Sequence, residues 1–445
     1  MNLEEIRFSD YAVASLTPSP VNRMMTEFAT SLRDDVDINF GVGYVNEDTI
    51  PKKLIEEAFH EVLLRPDKYR LALNYGGAQG SPNLIESIRQ FYVNNRIGGL
   101  DGKILSLKDI IIGPDGATSI LESIAQVIKT GIVITSDPMY YSYCNFLERK
   151  GFQIIAVPED NQGIQTDILR EKIERLGNKK LDISFVYIVS INNPTSTILS
   201  NERRREVVSI VTGLSKSLNR KIPLFFDKAY EGLVHDPDVP PLESGLLYDE
   251  LEIVYDIGTL SKILAPALRI GYMIGPKGSL INCMIQRTSD VGFSAPLINQ
   301  EIASYLLDHY AAKQSERVIK GYHDKAVQIK KWIHEELSDF ISECRGGQAG
   351  FYFYLTMKEG INTNESSPFY KYLTRTTGDK SIDGQPDARF PRVVYIPGEF
   401  FVHSKGDLVE VGKRQLRLSY GYEGLKKINK GIKHMKSAAE YAIST

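Results

Sequence analysis

The chain has 445 residues, of which 42% are hydrophobic and 24% are charged, and this composition is typical of a globular protein rather than a disordered one. Its 53 Lys and Arg against 56 Asp and Glu give a net charge of −3, without the basic excess that is usual in nucleic-acid-binding proteins. The longest apolar runs are much shorter than the roughly 18 residues that cross a membrane, and the first residues do not resemble a signal peptide. We therefore expect a cytoplasmic protein that binds neither nucleic acid nor membrane.

Two smaller features of the composition also limit the possible sites. Cys144, Cys283 and Cys344 are far apart and lack CxxC spacing, which indicates reduced core thiols rather than a disulfide framework or a zinc site. The run 203–205 is three arginines within a segment whose apolar residues recur at helical spacing, so it predicts a solvated helix face. We predict no metal site.

From about residue 105 to residue 275, short apolar runs alternate with segments of helical periodicity. The helical segment after residue 116 carries a single apolar stripe, formed by Ile120, Leu121, Ile124, Val127 and Ile128. The predicted strands are 109–113, 131–137, 153–158, 184–190, 222–227, 252–259 and 269–275. Because these strands are almost entirely apolar and are separated by helices, we predict an α/β fold in which helices cover both faces of a mostly parallel sheet.

The pattern changes after residue 280. A long helical region is predicted over 299–338, followed by strand-like segments at 350–357, 392–401 and 415–422. The last helix has its apolar positions at Leu425, Ile428, Ile432 and Met435. Residues 359–390 are rich in polar residues, glycine and proline, which predicts a surface insertion. We expect an N-terminal arm that joins part of the small domain (1–45), a large cofactor-binding domain (46–319) and a small α+β domain (320–445).

Polar residues follow several of the predicted strands where each strand ends. Asn193 follows one strand, Asp227 ends another with Tyr230 close behind, and Thr259 ends a third, with Lys262 soon after. Ligands of doubly wound sheets bind beyond the carboxyl ends of the strands. These side chains therefore predict one site at this edge of the sheet.

The residue types at this edge indicate which ligand would bind. The helix that begins near residue 116 offers free N–H groups to a phosphate, and Thr259, Ser261 and Arg269 add hydroxyls and a cation. Asp227, at the end of an apolar strand, needs a cation or a strong N–H donor, which a protonated ring nitrogen supplies. Lys262, among apolar residues and near Arg269, is expected to carry a neutral, nucleophilic amine. A phosphate, a protonated ring and an aldehyde bound by lysine describe pyridoxal 5′-phosphate.

At this point the sequence resembles the class I/II aminotransferases, a family of fold-type I pyridoxal-phosphate-dependent enzymes. The resemblance covers nearly the whole chain, and its segments occur in the family's order: "INFGVGYVNED", "NYGGAQGSPNLIESI", "GPDGATSIL", "SDPMYYSY", "INNPTSTILS", "FFDKAYEGL", "TLSKILAPALRIGY" and "LRLSYGYE". It implies a three-layer fold with a smaller α+β domain. It also implies ping-pong transfer of an amino group between an α-amino acid and a 2-oxo acid.

The resemblance assigns roles at the cofactor site. Lys262 resembles the lysine that forms the Schiff base and moves the proton, and Asp227 resembles the carboxylate at the ring nitrogen. Asn193 and Tyr230 match the pair at the phenolic oxygen, and Tyr140 matches the aromatic residue that stacks on the ring. The residues that match the phosphate-binding group are Ala117, Thr118, Thr259, Ser261 and Arg269.

Substrate binding and assembly are likewise implied by the resemblance. Arg417 resembles the arginine that binds the substrate carboxylate, with Asn193 and Gly43 beside it. Tyr75 resembles the tyrosine that reaches the neighbouring subunit's phosphate, which implies a homodimer. Arg414 competes with Arg417, and the other tyrosines of "MYYSY" compete with Tyr140.

Two positions depart from the family's pattern. Ser196 stands where a glycine usually follows Asn-Pro-Thr, which leaves the local turn in doubt. Lys228 directly follows Asp227 and is a nominal competitor of Lys262. Because neighbouring residues of a strand point to opposite faces, Lys228 is expected to point away from a cofactor that Asp227 contacts.

Two alternative functions remain open at this stage. The first is another reaction of the same cofactor, such as β-elimination or decarboxylation. The second is a ligand-sensing regulator with an added DNA-binding domain, for which the roughly 40 residues before the first motif leave little room. The segment 351–354, Tyr44 and the loop near Arg23 are candidates for the substrate pocket, and "YIPGEFF" resembles a loop of aminotransferases for general or aliphatic amino acids.

Overall fold

A computed structural model describes residues 6–385 and 390–445. The strands are β1 (Ile38–Asn39), β2 (Lys108–Ile112), β3 (Ile132–Asp137), β4 (Gln153–Asp160), β5 (Gly163–Ile164), β6 (Ile183–Val189), β7 (Leu224–Asp227), β8 (Val254–Thr259), β9 (Gly271–Pro276), β10 (Ile341–Gly346), β11 (Tyr352–Met357), β12 (Val393–Val394), β13 (Ile396–Pro397) and β14 (Gln415–Ser419).

The α-helices are α1 (Asp10–Ala14), α2 (Pro20–Ser31), α3 (Lys52–Leu64), α4 (Pro82–Asn94), α5 (Gly102–Ser106), α6 (Gly116–Val127), α7 (Tyr141–Arg149), α8 (Thr166–Arg175), α9 (Asn201–Ser217), α10 (Ser279–Gly292), α11 (Leu297–His309), α12 (Ala311–Leu337), α13 (Pro368–Thr374), α14 (Lys380–Asp383), α15 (Val409–Gly412) and α16 (Leu425–Ser444). Short 3₁₀ helices are Glu47–Thr49, Gly177–Asp182, Glu231–Leu233, Gly245–Tyr248, Pro266–Leu268 and Gly398–Phe400.

The large sheet has the strand order β2-β9-β8-β7-β6-β3-β4-β5. Strands β8, β7, β6, β3 and β4 run parallel to one another. Strand β9 pairs antiparallel with both β8 and β2, and β5 pairs antiparallel with β4. All residues of β6 are buried, because apolar clusters pack on both faces of the sheet. The predicted mostly parallel sheet is confirmed.

A smaller antiparallel sheet follows in the order β10-β11-β14-β13, and β1 pairs with β12 in a separate parallel pair. Helix α16 buries Ile428, Ile432 and Met435, as its periodicity predicts, whereas Leu425 is exposed. The predicted α+β character of the C-terminal part is confirmed. None of the helices in the described ranges is long and apolar enough to cross a membrane.

Four expectations need correction. The helical region over 299–338 is divided, since α11 ends at His309 and α12 begins at Ala311, with non-helical backbone at Tyr310. Residues 359–390 are not simply a surface insertion, because the side chains of Phe369 and Leu373 in α13 are fully buried. Residues 386–389 of this segment lie outside the described part of the chain.

The third correction concerns the run of arginines at 203–205, which was predicted to be a solvated helix face. Arg204 is fully buried and pairs with Glu231 (Nη1 to Oε1, 2.8 Å), whereas half of the Arg205 side chain is exposed. Successive residues of a helix point in different directions, so the middle arginine lies on the face that α9 turns to the core. The thiols also differ: Cys144 is buried, Cys344 is partly buried and Cys283 is exposed, so not all three are core residues.

Candidate functional site

The carboxyl ends of β6, β7 and β8 and the start of α6 surround a cavity of about 160 Å³. Residues predicted as cofactor ligands line it together: Ala117, Thr118, Tyr140, Asn193, Asp227, Tyr230, Thr259, Ser261, Lys262 and Arg269. Parallel strands bring these residues together because their carboxyl ends meet at one edge of the sheet.

Asp227 ends β7 and is buried at the floor of this cavity. Its Oδ2 accepts a hydrogen bond from the Tyr187 hydroxyl (2.7 Å), and its Oδ1 accepts one from the backbone N–H of Ala229 (3.0 Å). Burial raises the pKa of the Asp227 carboxyl, although both hydrogen bonds oppose the rise. The carboxyl group is therefore in a site where a cationic N–H donor would stabilise its charge.

Lys262 lies in the loop between β8 and the 3₁₀ helix Pro266–Leu268, and lines the same cavity. Its Nζ is 3.3 Å from the Gly43 carbonyl oxygen and 5.4 Å from the ring centres of Tyr230 and Phe351. Burial, followed by repulsion from Arg417 and Arg269, lowers the pKa of Lys262 to about 8. About a tenth of this amine is therefore neutral at pH 7, far more than for an ordinary lysine, and the shift has the direction that the sequence predicts.

The loop that ends in Arg269 packs against the start of α6. Gly116 has a φ of +67°, and a Cβ there would lie 2.9 Å from Arg269 Nη2. A Cβ on Gly271 would lie 2.0 Å from the backbone nitrogen of Ala117. Both glycines therefore permit the close approach of Arg269 and the helix N-terminus that a phosphate group needs.

Arg269 also pairs with Asp115, through Nε and Oδ1 at 2.7 Å, which the sequence did not predict. On the other side of the cavity, the Thr259 hydroxyl lies 2.9 Å from that of Ser261. The hydroxyls, the guanidinium and the α6 N-terminus form a donor set suited to an anion.

A second cavity, of about 170 Å³, shares Tyr140, Asn193, Tyr230 and Lys262 with the first. Arg417 lines it and is buried. Its Nη1 donates to Asn193 Oδ1 (2.7 Å), and its Nη2 donates to the Gly41 carbonyl oxygen (2.5 Å). Among the described residues its buried Nε has no hydrogen-bond partner. A carboxylate ligand would meet this available donor.

Several other candidates lie outside this arrangement. Arg414 donates to the Met357 carbonyl oxygen and lines neither cavity, so it does not replace Arg417. Arg23 itself pairs with Glu365 at the surface, but Met25, two residues further along α2 in the segment proposed for the pocket, lines the second cavity. Tyr44 is exposed and packs edge-on against Tyr422.

Gly43 lines the second cavity, where a Cβ would lie 2.7 Å from the Tyr352 hydroxyl. Tyr75 lines neither cavity of its own chain: it is 73% exposed, and its ring packs edge-on against Phe293, which is 63% exposed.

The structure explains how the chain accommodates Lys228 and Ser196, the two departures from the family pattern. Lys228 Nζ pairs with Asp256 (3.1 Å) and Glu231 (3.0 Å), on the other side of the strand from the cavity, as strand alternation predicts. Ser196 adopts the left-handed conformation at φ +53°, which is the conformation that a glycine would adopt easily. The turn is therefore retained, with a strained residue in the glycine's place.

Some residues around the two cavities were not identified from the sequence. Tyr187 lies within an apolar strand, and the sequence gives no indication that its hydroxyl contacts Asp227. Ser142 lines the second cavity and was not predicted there, whereas Met25 belongs to the segment near Arg23 that was proposed for the pocket, and Tyr141 is one of the tyrosines that competed with Tyr140. Tyr352 also lies inside a segment, 351–354, that was proposed for the pocket.

Comparisons with known proteins agree with this geometry. The family model "Aminotransferase class I and II" matches residues 37–377. The multiple substrate aminotransferase from Thermococcus profundus has a TM-score of 0.81 and 23% identity, with 98% of each chain covered. The Pyrococcus horikoshii kynurenine aminotransferase has a TM-score of 0.80 and 25% identity, covering 97% of this chain and 96% of its own.

Curated relatives are of two kinds. Aromatic-amino-acid aminotransferase 1 from Thermococcus litoralis is 26% identical over 404 residues, covering 89% of this chain and 87% of its own length. An uncharacterized HTH-type transcriptional regulator, YisV from Bacillus subtilis, is 25% identical over 419 residues, covering 91% of this chain and 73% of its own length. Since the family model spans most of the chain, this protein belongs to the class I and II aminotransferase family, with the fold of the fold-type I pyridoxal-phosphate enzymes.

Proposed function

We propose that the protein is a pyridoxal-phosphate-dependent aminotransferase that moves an amino group between an α-amino acid and a 2-oxo acid. The observation that carries this proposal is the position of Lys262 where the two cavities meet. Asp227 lines one cavity, Arg417 lines the other, and the amine between them has a pKa of about 8. An acid, a neutral amine and a carboxylate-binding cation are the groups that transamination requires.

The residues present fit pyridoxal phosphate. Thr118, Ser261 and Arg269 would hold its phosphate with the N-terminus of α6, and the Asp227 carboxylate would accept a hydrogen bond from its protonated ring nitrogen. Lys262 would hold its aldehyde carbon through the amine. The buried carboxyl of Asp227, which has only two hydrogen bonds in the described chain, is the observation that favours a cationic ring over a neutral one.

When bound, the cofactor supplies an electron sink for the bond that breaks at the substrate's Cα. Arg417 binds the substrate carboxylate, and its contact with Asn193 fixes the plane of the guanidinium. Once the substrate's amino group has displaced the Lys262 amine from the aldehyde carbon, the freed neutral amine would accept the proton from Cα, and the resulting ammonium would give that proton back as the product forms. Tyr140, Tyr230 and Tyr352 limit the access of water around this amine.

We also propose that two copies of the chain form a homodimer in which Tyr75 completes the partner's phosphate site. The exposed rings of Tyr75 and Phe293 support this, because adjacent exposed aromatic rings are unusual on a surface that faces water.

The direct test is turnover with paired amino acids and 2-oxo acids. We expect formation of a new amino acid only when a 2-oxo acid is present, without release of ammonia. Ammonia and pyruvate without an acceptor, or carbon dioxide, would instead support the β-elimination or decarboxylation alternatives. Lys262→Ala should abolish product formation in each case.

The relationship to HTH-type regulators supports a second candidate, a ligand-sensing regulator. A regulator would use the same cavities to bind a ligand and would turn over slowly or not at all. Sequence-specific DNA binding in a gel-shift assay that responds to an amino acid, without transamination, would favour this candidate over the enzyme.

A further inference from the structure

The second cavity contains the surface that a substrate side chain would contact. With the carboxylate at Arg417 and Cα near Lys262, the remaining wall is formed by residues from four segments: Met25 of α2, Val42, Tyr141 and Ser142 of α7, and Tyr352 of β11. This wall contains no acidic side chain and no basic side chain among the described residues.

The aromatic part of this wall is held firmly and is uncharged. Tyr141 packs edge-on against Phe401 with ring centres 4.8 Å apart, and the Tyr352 hydroxyl is 2.7 Å from that of Tyr230. Burial raises the pKa of both the Tyr141 and the Tyr352 hydroxyls, so both remain neutral at ordinary pH. Val42 is also buried, which makes this part of the wall rigid and apolar.

A charged side chain in this cavity would therefore have no partner among the described residues of its own chain. The cations that line it, Lys262 and Arg417, are already used by the proposed reaction. A second carboxylate on the substrate would lose its hydration and gain no ion pair, and a side-chain ammonium would meet no carboxylate. An aromatic or large aliphatic side chain would instead bury its surface against Met25, Val42 and Tyr141.

We infer that the site selects neutral amino acids with aromatic or large apolar side chains over dicarboxylic ones, and that Met25 and Tyr141 determine this preference. The inference rests on the proposed function, because the direction of the side chain follows from the roles of Lys262 and Arg417.

The test uses two unreactive carboxylates that differ only at the distal group, 3-phenylpropanoate and succinate. Binding of each to the pyridoxal-phosphate-loaded protein is measured by titration calorimetry. We expect 3-phenylpropanoate to bind at least about tenfold more tightly than succinate. Equal or tighter binding of succinate, or no binding of either, overturns the inference.

A charge-introducing variant tests whether Met25 faces the ligand side chain. Met25→Arg should raise succinate affinity about tenfold and lower that of 3-phenylpropanoate, whereas Thr26→Arg, which adds the same charge at the neighbouring exposed position, should change neither. Unchanged affinities in Met25→Arg would overturn the role of Met25.

Tyr141→Leu removes the aromatic wall but keeps an apolar side chain. It should weaken 3-phenylpropanoate binding several-fold and leave succinate binding unchanged. Because these are equilibrium measurements, they are separate from the turnover test. If amino transfer occurs with dicarboxylic substrates preferred, only the specificity inference fails; if no amino acid is converted, the proposed function fails as well.

Discussion

Lys228 follows Asp227 directly in the sequence and Lys262 lines the same cavity as Asp227, yet the surroundings of the two lysines change their pKa values in opposite directions. Burial alone would lower the pKa of Lys228, but Asp256 and Glu231 outweigh it and raise the pKa above its usual range. Lys262 has no close carboxylate partner in the described part of the chain, so burial and two arginines lower its pKa to about 8. The first lysine is therefore a structural cation, and the second carries a reactive amine.

Replacing each lysine with methionine should separate these roles. Lys262→Met should reduce amino transfer by at least about a thousandfold while the protein stays folded, since no buried ion pair is broken. Lys228→Met should lower the free energy of unfolding by about 3 kcal/mol, because it leaves Asp256 and Glu231 buried without their cation. Urea denaturation and single-turnover assays measure both effects. Normal turnover in Lys262→Met would refute its assignment.

The low pKa of Lys262 predicts a pH dependence for its reaction with pyridoxal phosphate in the cofactor-free protein. The amine must be neutral to react, so the rate should rise about tenfold per pH unit below pH 8 and level off above about 8. Arg417→Gln should shift this inflection to higher pH, since it removes the cation whose repulsion lowers the pKa of Lys262 most. The measurement is the rate of borohydride-trapped adduct formation; a wild-type rate that is still rising at about pH 10 would contradict the prediction.

At the scale of elements, the turn after β6 carries a local conflict between sequence and backbone. Ser196 adopts φ +53°, and its buried hydroxyl has no partner among the described residues. A left-handed conformation costs an L-residue roughly 1–2 kcal/mol, and an unpaired buried hydroxyl adds to this cost. The turn is retained because neighbouring backbone bonds hold it, such as the one from Ser196 N–H to the Asn192 carbonyl oxygen (2.7 Å).

Two substitutions separate the destabilisation caused by the backbone conformation of Ser196 from that caused by its unpaired hydroxyl. Ser196→Ala removes only the hydroxyl, whereas Ser196→Gly removes both the hydroxyl and the backbone strain. We expect the glycine variant to be more stable than the alanine variant by about 1 kcal/mol in urea denaturation. Equal stability of the two variants would show that the backbone at this position is unstrained.

At the scale of the whole molecule, the N-terminal segment is tied to the C-terminal part through Asp37. This buried carboxylate accepts hydrogen bonds from Arg33 (Nη2 to Oδ1, 2.6 Å) and Arg392 (Nη2 to Oδ2, 2.8 Å), next to the pairing of β1 with β12. Burial would raise the pKa of Asp37, but these arginines outweigh it and hold the pKa well below its usual range. We propose on this basis that the described part of the N-terminal arm contributes to the small domain formed by the C-terminal part of the chain.

Asp37→Asn should lower the free energy of unfolding by about 3 kcal/mol at neutral pH. Because the folded-state pKa is depressed, the stabilisation is present above the unfolded-state pKa near 3.8 and is lost as the pH falls below it. The difference between wild type and variant should therefore shrink in acid denaturation series below about pH 4. Asp34→Asn, at an exposed position, should change stability by less than about 0.5 kcal/mol.

The proposed contribution of Tyr75 to the neighbouring subunit's site can be tested by mixing two inactive variants. Lys262→Ala and Tyr75→Ala should each lose most activity, but in a mixed dimer one site regains both residues if Tyr75 acts across the interface. Refolding the two variants together should therefore restore a measurable fraction of the activity. No recovery, with mixed dimers detected by mass, would place Tyr75 in its own subunit's site or outside any site.

The sequence by itself determined the order of strands and helices and the main set of residues at the sheet edge, because apolar periodicity and strand-end polarity are local properties. Lys262, Asp227, Thr259 and Asn193 could be predicted in this way. Only the tertiary structure decided which residues reach the site from distant segments. The Tyr187 hydroxyl donates to Asp227, Arg417 donates to Asn193, and Met25 lines the second cavity. It also decided that Arg204 is buried, since helix orientation and long-range packing are not encoded in any short window of sequence.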